Sequence, residues 1–273
     1  MEELFRGIWV IAYRELLRFI QERSRMISSF AMPLLFLIVF GAGFNRVIGN
    51  LTPGVDFIKF IYPGIIAMTV LMSSVFSGLS VVWDREFGFL KEVLVAPLSR
   101  SGIVLGKAIG SAVISLGQGF VMLALAPILG VTLSLILVVE LIPLLIVLSL
   151  SLSGLGILVA SRMRSQQGFQ VVVQLIIFPL IFLSGVFFPV NNVPTWLEVV
   201  SKINPLTYGV DAIRQLFLGG DLAATSAATG NGSYLVGVTV FGHTMSILED
   251  VIVVAVLGAV LMLAAVWSFY RQE

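Results

Sequence analysis

The sequence has no cysteine, a single histidine and very little charge. Without cysteine there are no disulfides, no thiolate metal sites and no thiol nucleophile. One histidine, His243, cannot build a multi-histidine metal centre. Only 11% of the 273 residues are charged, against about 25% in an ordinary soluble domain. Hydrophobic residues make up 58%, against roughly 45–50%. So few charges cannot solvate a globule of this size, which excludes an ordinary soluble enzyme, a disordered chain and a nucleic-acid binder. What remains is a polytopic membrane protein. The net charge of +1 points to no partner, so only the placement of charges is informative.

A hydrocarbon core about 30 Å thick takes about 20 apolar residues of helix. Six stretches reach that length: 26–48, 57–83, 102–129, 133–160, 170–188 and 251–270. None alternates like a barrel strand, so the expected fold is all-α with six transmembrane helices. About 25 residues of mixed charge precede the first span, unlike a cleavable signal peptide. Phe5, Ile8, Trp9, Ala12, Leu16 and Phe19 recur at helical spacing, with Arg6, Arg14, Glu15, Arg18, Glu22 and Arg25 mostly elsewhere. That pattern predicts an amphipathic helix lying in the membrane interface.

Six spans put both termini on one side. Four of the 16 Lys and Arg residues, Arg46, Lys59, Lys202 and Arg214, then fall on the opposite side and the rest with the termini. The positive-inside rule makes the termini cytoplasmic. Intramembrane charge marks ion and proton pathways, and the spans hold one clear case, Glu140, expected near the external interface. Gln118 and Gln174 are expected to bridge helices. A proton-coupled pump or a voltage sensor is therefore disfavoured.

Small residues abound. Gly102, Gly106 and Gly110 form a four-residue ladder, and Ser73, Ser74, Ser77, Gly78 and Ser80 crowd the second span. So do Ser149, Ser151, Ser153, Gly154 and Gly156 in the fourth, and close helix packing is expected at each. The run from Gly102 to Ala108 is not a phosphate-binding loop: it has three residues between its glycines and no hydroxyl after Lys107. No catalytic or metal-ligating constellation is present. The acidic pairs Asp84/Glu86 and Glu249/Asp250 read as solvated helix ends.

Two segments carry more information. In the loop after the second span, Asp84 suits a helix start and Pro97 ends the helix. Phe87, Leu90, Val93 and Leu94 share one face, and Phe89 projects to the other. Such a helix either docks Phe89 into a soluble partner or lies on the interface with one aromatic touching lipid. In the external segment after the fifth span, one helix starts after Pro194. A second is capped by Asn204 with Pro205 first. Leu206, Val210, Ile213 and Phe217 form one stripe, Thr207, Asp211 and Arg214 the other, and Gly219-Gly220 is expected to stop the helix. Both pieces read as too short to span and as dipping in and out at the outer face.

The pattern Asp84-Arg85-Glu86-x-Gly88-x-Leu90-x-Glu92-x-Leu94-x-x-Pro97-x-Ser99-Arg100 resembles the coupling loop of type-2 ATP-binding-cassette (ABC) exporter permeases. The run 184–189, Pro194-x-Trp196-Leu197, Asn204 to Tyr208 and Asp211-x-x-Arg214 is similar to that family's external segment. The resemblance spans nearly the whole chain and is strongest to the drug-resistance and nodulation-factor exporters. Lys91 adds a charge to the coupling loop with no assigned role.

The resemblance implies one transmembrane domain over 1–273. It comprises an interfacial helix (1–25), two spans (26–83), a coupling helix (84–101), three spans (102–188), external re-entrant helices with a loop (189–250) and a last span (251–273). It implies a permease subunit in a prokaryotic plasma membrane, paired with a second copy or a homologous permease. Separate cytoplasmic ABC ATPase subunits would bind ATP and magnesium, this chain holding no cofactor and no catalytic residue. Arg85, Glu86, Phe87, Phe89, Leu90, Glu92 and Leu94 would couple to the ATPase, with a second contact at 161–169. Ser73, Phe76, Gln174, Phe178 and Phe182 would line the pathway for a hydrophobic or amphiphilic substrate (drug, lipid or glycolipid). Phe188, Pro189, Trp196, Asn204, Pro205, Tyr208, Asp211 and Arg214 would form an external gate. The competing readings are a secondary transporter or channel, and a membrane-embedded lipid-modifying enzyme. Neither has the intramembrane charge, matched broken spans or catalytic cluster it needs.

Overall fold

The computed structural model describes residues 2–51, 57–88, 100–131, 133–190, 193–229, 237–240 and 243–271. It is an almost wholly helical bundle. The helices are α1 (Glu2–Gln21), α2 (Arg23–Leu51), α3 (Phe57–Phe76), α4 (Leu79–Glu86), α5 (Arg100–Leu125), α6 (Leu135–Arg162), α7 (Gln166–Phe182), α8 (Thr195–Ile203), α9 (Pro205–Thr229) and α10 (Ile247–Tyr270). A two-residue antiparallel ribbon, β1 (Thr239–Val240) with β2 (His243–Thr244), is a small departure from the all-α expectation.

Four helical stretches are long and apolar enough to cross a bilayer: 57–86, 101–129, 135–162 and 247–269. The α1–α2 pair, bent by 73°, qualifies as a fifth when taken together. The expected fifth span is an apolar helix of 17 residues, α7, which ends at Phe182 rather than at Phe188. The chain turns there through Gly185, whose φ of +81° is open to glycine and costly for other residues.

α3 is apolar all round and sits at the centre, with every side chain from Phe60 to Leu71 buried. α10 is peripheral and presents Leu248, Ile252, Val256, Val260, Leu263 and Trp267 outward. Small residues set the contacts as expected. A Cβ on Gly106 would meet Ile11 Cβ at 2.8 Å and Ile8 O at 2.9 Å, and one on Gly110 would meet Glu15 Cβ at 3.0 Å. The glycine ladder is thus where α1 lies against α5. Gly154 and Gly258 join α6 to α10 in the same way, with Ser161 Oγ 2.7 Å from Ser268 Oγ at the far end.

The second span is not one smooth helix. It breaks at Ser77-Gly78 between α3 and α4, where Gly78 and Gly156 bring two backbones into contact. Glu140 is exposed on the outer surface of α6. Gln118 bridges α5 to α2 by donating to Ser29 Oγ at 2.7 Å, whereas Gln174 is exposed on α7.

Two helix ends differ from expectation. Gly219-Gly220 does not stop α9, which runs on to Thr229 and at 25 residues is long rather than short. Two glycines cost about 1 kcal/mol each relative to alanine, and the alanine-rich stretch after them favours helix. Asp84 does not start a helix either: it lies in the last turn of α4, which ends at Glu86. Gly88, at φ +76°, follows, so the helix expected to start at Asp84 is interrupted after Glu86.

Candidate functional site

The most elaborate polar structure among the described residues lies where α1, α4 and α5 meet. Lys107, on α5, is 1% exposed. An ammonium carries three donors, and here it has three acceptors: Ser80 Oγ at 2.7 Å, Asp84 Oδ2 at 2.8 Å and Glu15 Oε1 at 2.9 Å. Asp84 also accepts from Arg14 Nη2 at 2.6 Å and lies 3.6 Å from Arg18 Nη1. The Arg18 guanidinium stacks 4.3 Å above the Trp83 ring. Burial alone would raise the pKa of Glu15, yet Lys107 and Arg14 hold it below the ordinary carboxylate range. Asp84 is a buried partner of three cations, not a solvated helix end.

Nothing in the composition singled these residues out. Lys107 reads as one more cytoplasmic positive charge and Glu15 as part of a polar helix face. The available signal was a lysine inside a glycine ladder. A position that lets two helices touch also buries its neighbours, and a buried lysine must find carboxylates.

Arg85 and Glu86, assigned to ATPase coupling, hold another part of the same chain. Arg85 Nη1 donates to Met163 O at 2.6 Å and Ser161 O at 3.1 Å, and Glu86 Oε2 accepts from Gln166 N at 3.2 Å. The 161–169 stretch, expected as a second coupling contact and here the join of α6 and α7, is thereby tied to the first. Phe87 is exposed. Phe89, Leu90, Glu92 and Leu94 lie outside the described residues.

Next to the charge cluster is a cavity of about 650 Å³ between the α1–α2 elbow, α3, α4, α5 and the start of α7. Ser73 and Phe76, two of the five expected pathway residues, line it. Gln174, Phe178 and Phe182 do not. They share an outward face of α7, with the rings of Phe178 and Phe182 stacked at 6.4 Å. Phe182 continues to Phe187 at 5.3 Å, and Phe187 to Phe40 of α2 at 4.7 Å. An aromatic seam thus joins α7 to α2.

At the opposite end, the expected gate residues separate into a buried group and an exposed one. Asn204 caps α9 by accepting from Leu206 N at 2.9 Å and reaches back to Leu180 O at 2.7 Å. Tyr208 donates to Lys202 O at 2.7 Å. Asp211 accepts from Val238 N at 2.6 Å and Gly237 N at 3.1 Å. Arg214 donates to Gly185 O at 2.7 Å and lies 4.0 Å above the Phe60 ring. Both stripes of α9 are therefore turned inward, all buried except the half-buried Phe217, and the polar one grips backbone carbonyls and amides. Phe188, Pro189 and Pro205 are half-buried at its edge, and Trp196 on α8 is 68% exposed. Asp250, expected at a solvated end, is buried beside Gln215, whose Nε2 reaches Asp250 Oδ2 at 3.2 Å and Asp211 Oδ2 at 3.1 Å. Glu249 is the real helix-end residue, forming a capping box with Ser246. Asn204→Ala, which removes both a cap and the tie to α7, is expected to cost about 1–2 kcal/mol. Thermal melts in detergent check this, with Asn204→Asp expected to fall between, because it keeps only the capping oxygen.

A bundle of apolar helices long enough to cross a bilayer, with charged groups buried at both ends, is that of an integral membrane protein. The chain belongs to the ABC-2 type transporter family, whose model matches residues 6–218. It is 37% identical over 210 residues to a putative transport permease, ycf38, of Cyanophora paradoxa, covering 73% of this chain and 71% of that one. It is 33% identical over 173 residues to the probable multidrug ABC transporter permease YbhR of Escherichia coli K12, covering 61% and 45%. It is 29% identical over 201 residues to nodulation protein J of Rhizobium meliloti, covering 73% and 76%.

Proposed function

We propose that this chain is the membrane-spanning subunit of an ATP-driven exporter. It carries an amphiphilic substrate outward by alternating access while partner ABC ATPases bind and hydrolyse magnesium-ATP. Two such subunits, identical or homologous, enclose the pathway in a prokaryotic plasma membrane. In this reading the chain has six spans, α2, α3–α4, α5, α6, α7 and α10, with both termini cytoplasmic. α1 rests in the inner interface on its exposed Phe5, Trp9, Tyr13 and Ile20. α8 and α9 close the outer end.

The observation that carries the reading is the clamp made by Arg85 and Glu86. The end of α4 is bonded through Arg85 and Glu86 to residues 161–166, where α6 passes into α7, and through Asp84 to α1 and α5. A push on the end of α4 therefore reaches α1, α5, α6 and α7 through directional bonds rather than dissipating in a loose loop. The substrate name of a multidrug or nodulation relative is a guide to amphiphiles as a class and no further.

The test is ATPase activity in a detergent-purified complex recovered through a tag on this chain. Native protein is expected to bring down an ATPase, and Phe89→Asp, which places a charge on the docking aromatic, is expected to lower its recovery at least about tenfold. A well-folded native chain that recovers no ATPase overturns the reading.

A further inference from the structure

The cavity beside the charge cluster lies within one chain, and its chemistry is selective. Both carboxylates on its wall are already paired: Glu15 with Lys107 at 2.9 Å and Glu22 with Arg18 at 3.4 Å. It therefore offers no unmatched charge to a charged ligand. Its unmet groups are neutral. Ser111 and Gln118, two turns apart on α5, line it and are 1% and 3% exposed, and neither Ser111 Oγ nor Gln118 Oε1 has a partner.

The orientation of the Gln118 amide follows from its neighbour. Ser29 spends its hydroxyl proton on Met26 O at 2.7 Å, so Ser29 Oγ can only accept, and it accepts from Gln118 Nε2 at 2.7 Å. The carboxamide oxygen is the free end. Buried polar atoms are nearly always paired, and each exception calls for an explanation. Phe19, Met72, Phe76 and Ile114 supply apolar wall around the two. The volume is that of a small-molecule site, room for a headgroup and the start of one chain rather than a whole phospholipid.

We propose that this cavity binds the uncharged, hydroxyl- or amide-bearing head of an amphiphile. Gln118 Oε1 accepts a hydrogen bond from it, Ser111 Oγ makes a second, and the tail lies over Phe76 and Ile114. The site belongs to a single chain and is occupied with or without an ATPase, so it stands or falls separately from the export reading.

The experiment uses the full chain, purified without partners in nanodiscs, and a monoacylglycerol with a diazirine in its acyl tail. Saturable photolabelling is expected on peptides of α3 and α5. Unlabelled monoacylglycerol should compete at least tenfold better than lysophosphatidic acid or an alkyltrimethylammonium of equal chain length. Ser111→Ala combined with Gln118→Leu should weaken binding about tenfold, the loss of roughly one to two neutral hydrogen bonds. Because Gln118→Leu also removes the tie to α2, Ile114→Trp is tested beside it. That variant fills the space, leaves the polar groups intact and is expected to abolish labelling at an unchanged melting temperature. Equal competition by all three lipids, labelling unchanged in both variants, or no saturable labelling each overturns the proposal; the last would leave the cavity to water alone.

Discussion

Lys107→Met is expected to destabilise the chain by about 3–5 kcal/mol, the cost of stranding buried charges without their partner. The methionine has nearly the lysine's shape, so little of the loss comes from packing. It comes from Glu15 and Asp84, both buried, which face Lys107 Nζ at 2.9 and 2.8 Å. Asp84 retains Arg14 at 2.6 Å, whereas Glu15 retains only Arg14 at 3.6 Å, so Glu15 suffers more. Lys107→Met with Glu15→Gln should therefore recover a large part of the loss, which a double-mutant cycle reads directly. Lys107→Arg should not rescue, since a planar fork cannot reproduce three diverging donors in a site this enclosed. The measurement is circular-dichroism melting in detergent, with a fall of roughly 6–20 °C expected. The sign of the pH dependence follows from Glu15, whose folded pKa is depressed. Its contribution is complete above the ordinary carboxylate range and fades as pH falls through the lower, folded value. Native protein should lose stability on acidification below that range, and Glu15→Gln should flatten the loss. An unchanged melting temperature for Lys107→Met would mean that water reaches the cluster.

The elements legible in the sequence were those written by a long periodic pattern or a strong local signal. The apolar runs located α3, α5, α6 and α10, and Asn204-Pro205 marked the start of α9 because both residues act on the backbone next to them. What could not be read was whatever depends on a neighbour distant in the chain. Lys107 is 92 residues from Glu15 and 23 from Asp84. No local pattern distinguishes that lysine from a solvated one. Arg214 looks like an external charge until Gly185 O and Phe60 are placed around it. The cavity shows the same limit: Ser73 and Phe76 were expected in a pathway, while Ser111 and Gln118 complete the same wall from another helix. The helix face 174, 178 and 182 was sound as a periodicity, but a periodicity does not say what the face looks onto.

The break in the second span supplies the other large effect. Gly156→Leu is expected to cost about 3 kcal/mol or more, at the upper end of overpacking penalties. A Cβ at Gly156 would sit well under 3.0 Å from Val75 O and 2.8 Å from Val75 Cα, and Gly78 meets the Gly156 carbonyl as closely from the other side. These are backbone atoms of the central helix, so no rotamer change can make room and the two helices must separate. Separation would open the junction where α3 passes into α4, one turn before Ser80 and two before Asp84, so the Lys107 cluster should loosen with it. Gly117→Ala is the matched control. That glycine also lies within a helix, α5, but a Cβ there meets nothing within 4 Å. Removing its backbone freedom should leave stability unchanged or raise it by about 0.5–1 kcal/mol. Melting curves of the two variants in one detergent decide the matter. A large loss for Gly156→Leu with none for Gly117→Ala places the cost in helix contact. Equal losses would place it in glycine replacement as such and remove the α3–α6 contact from the account of stability.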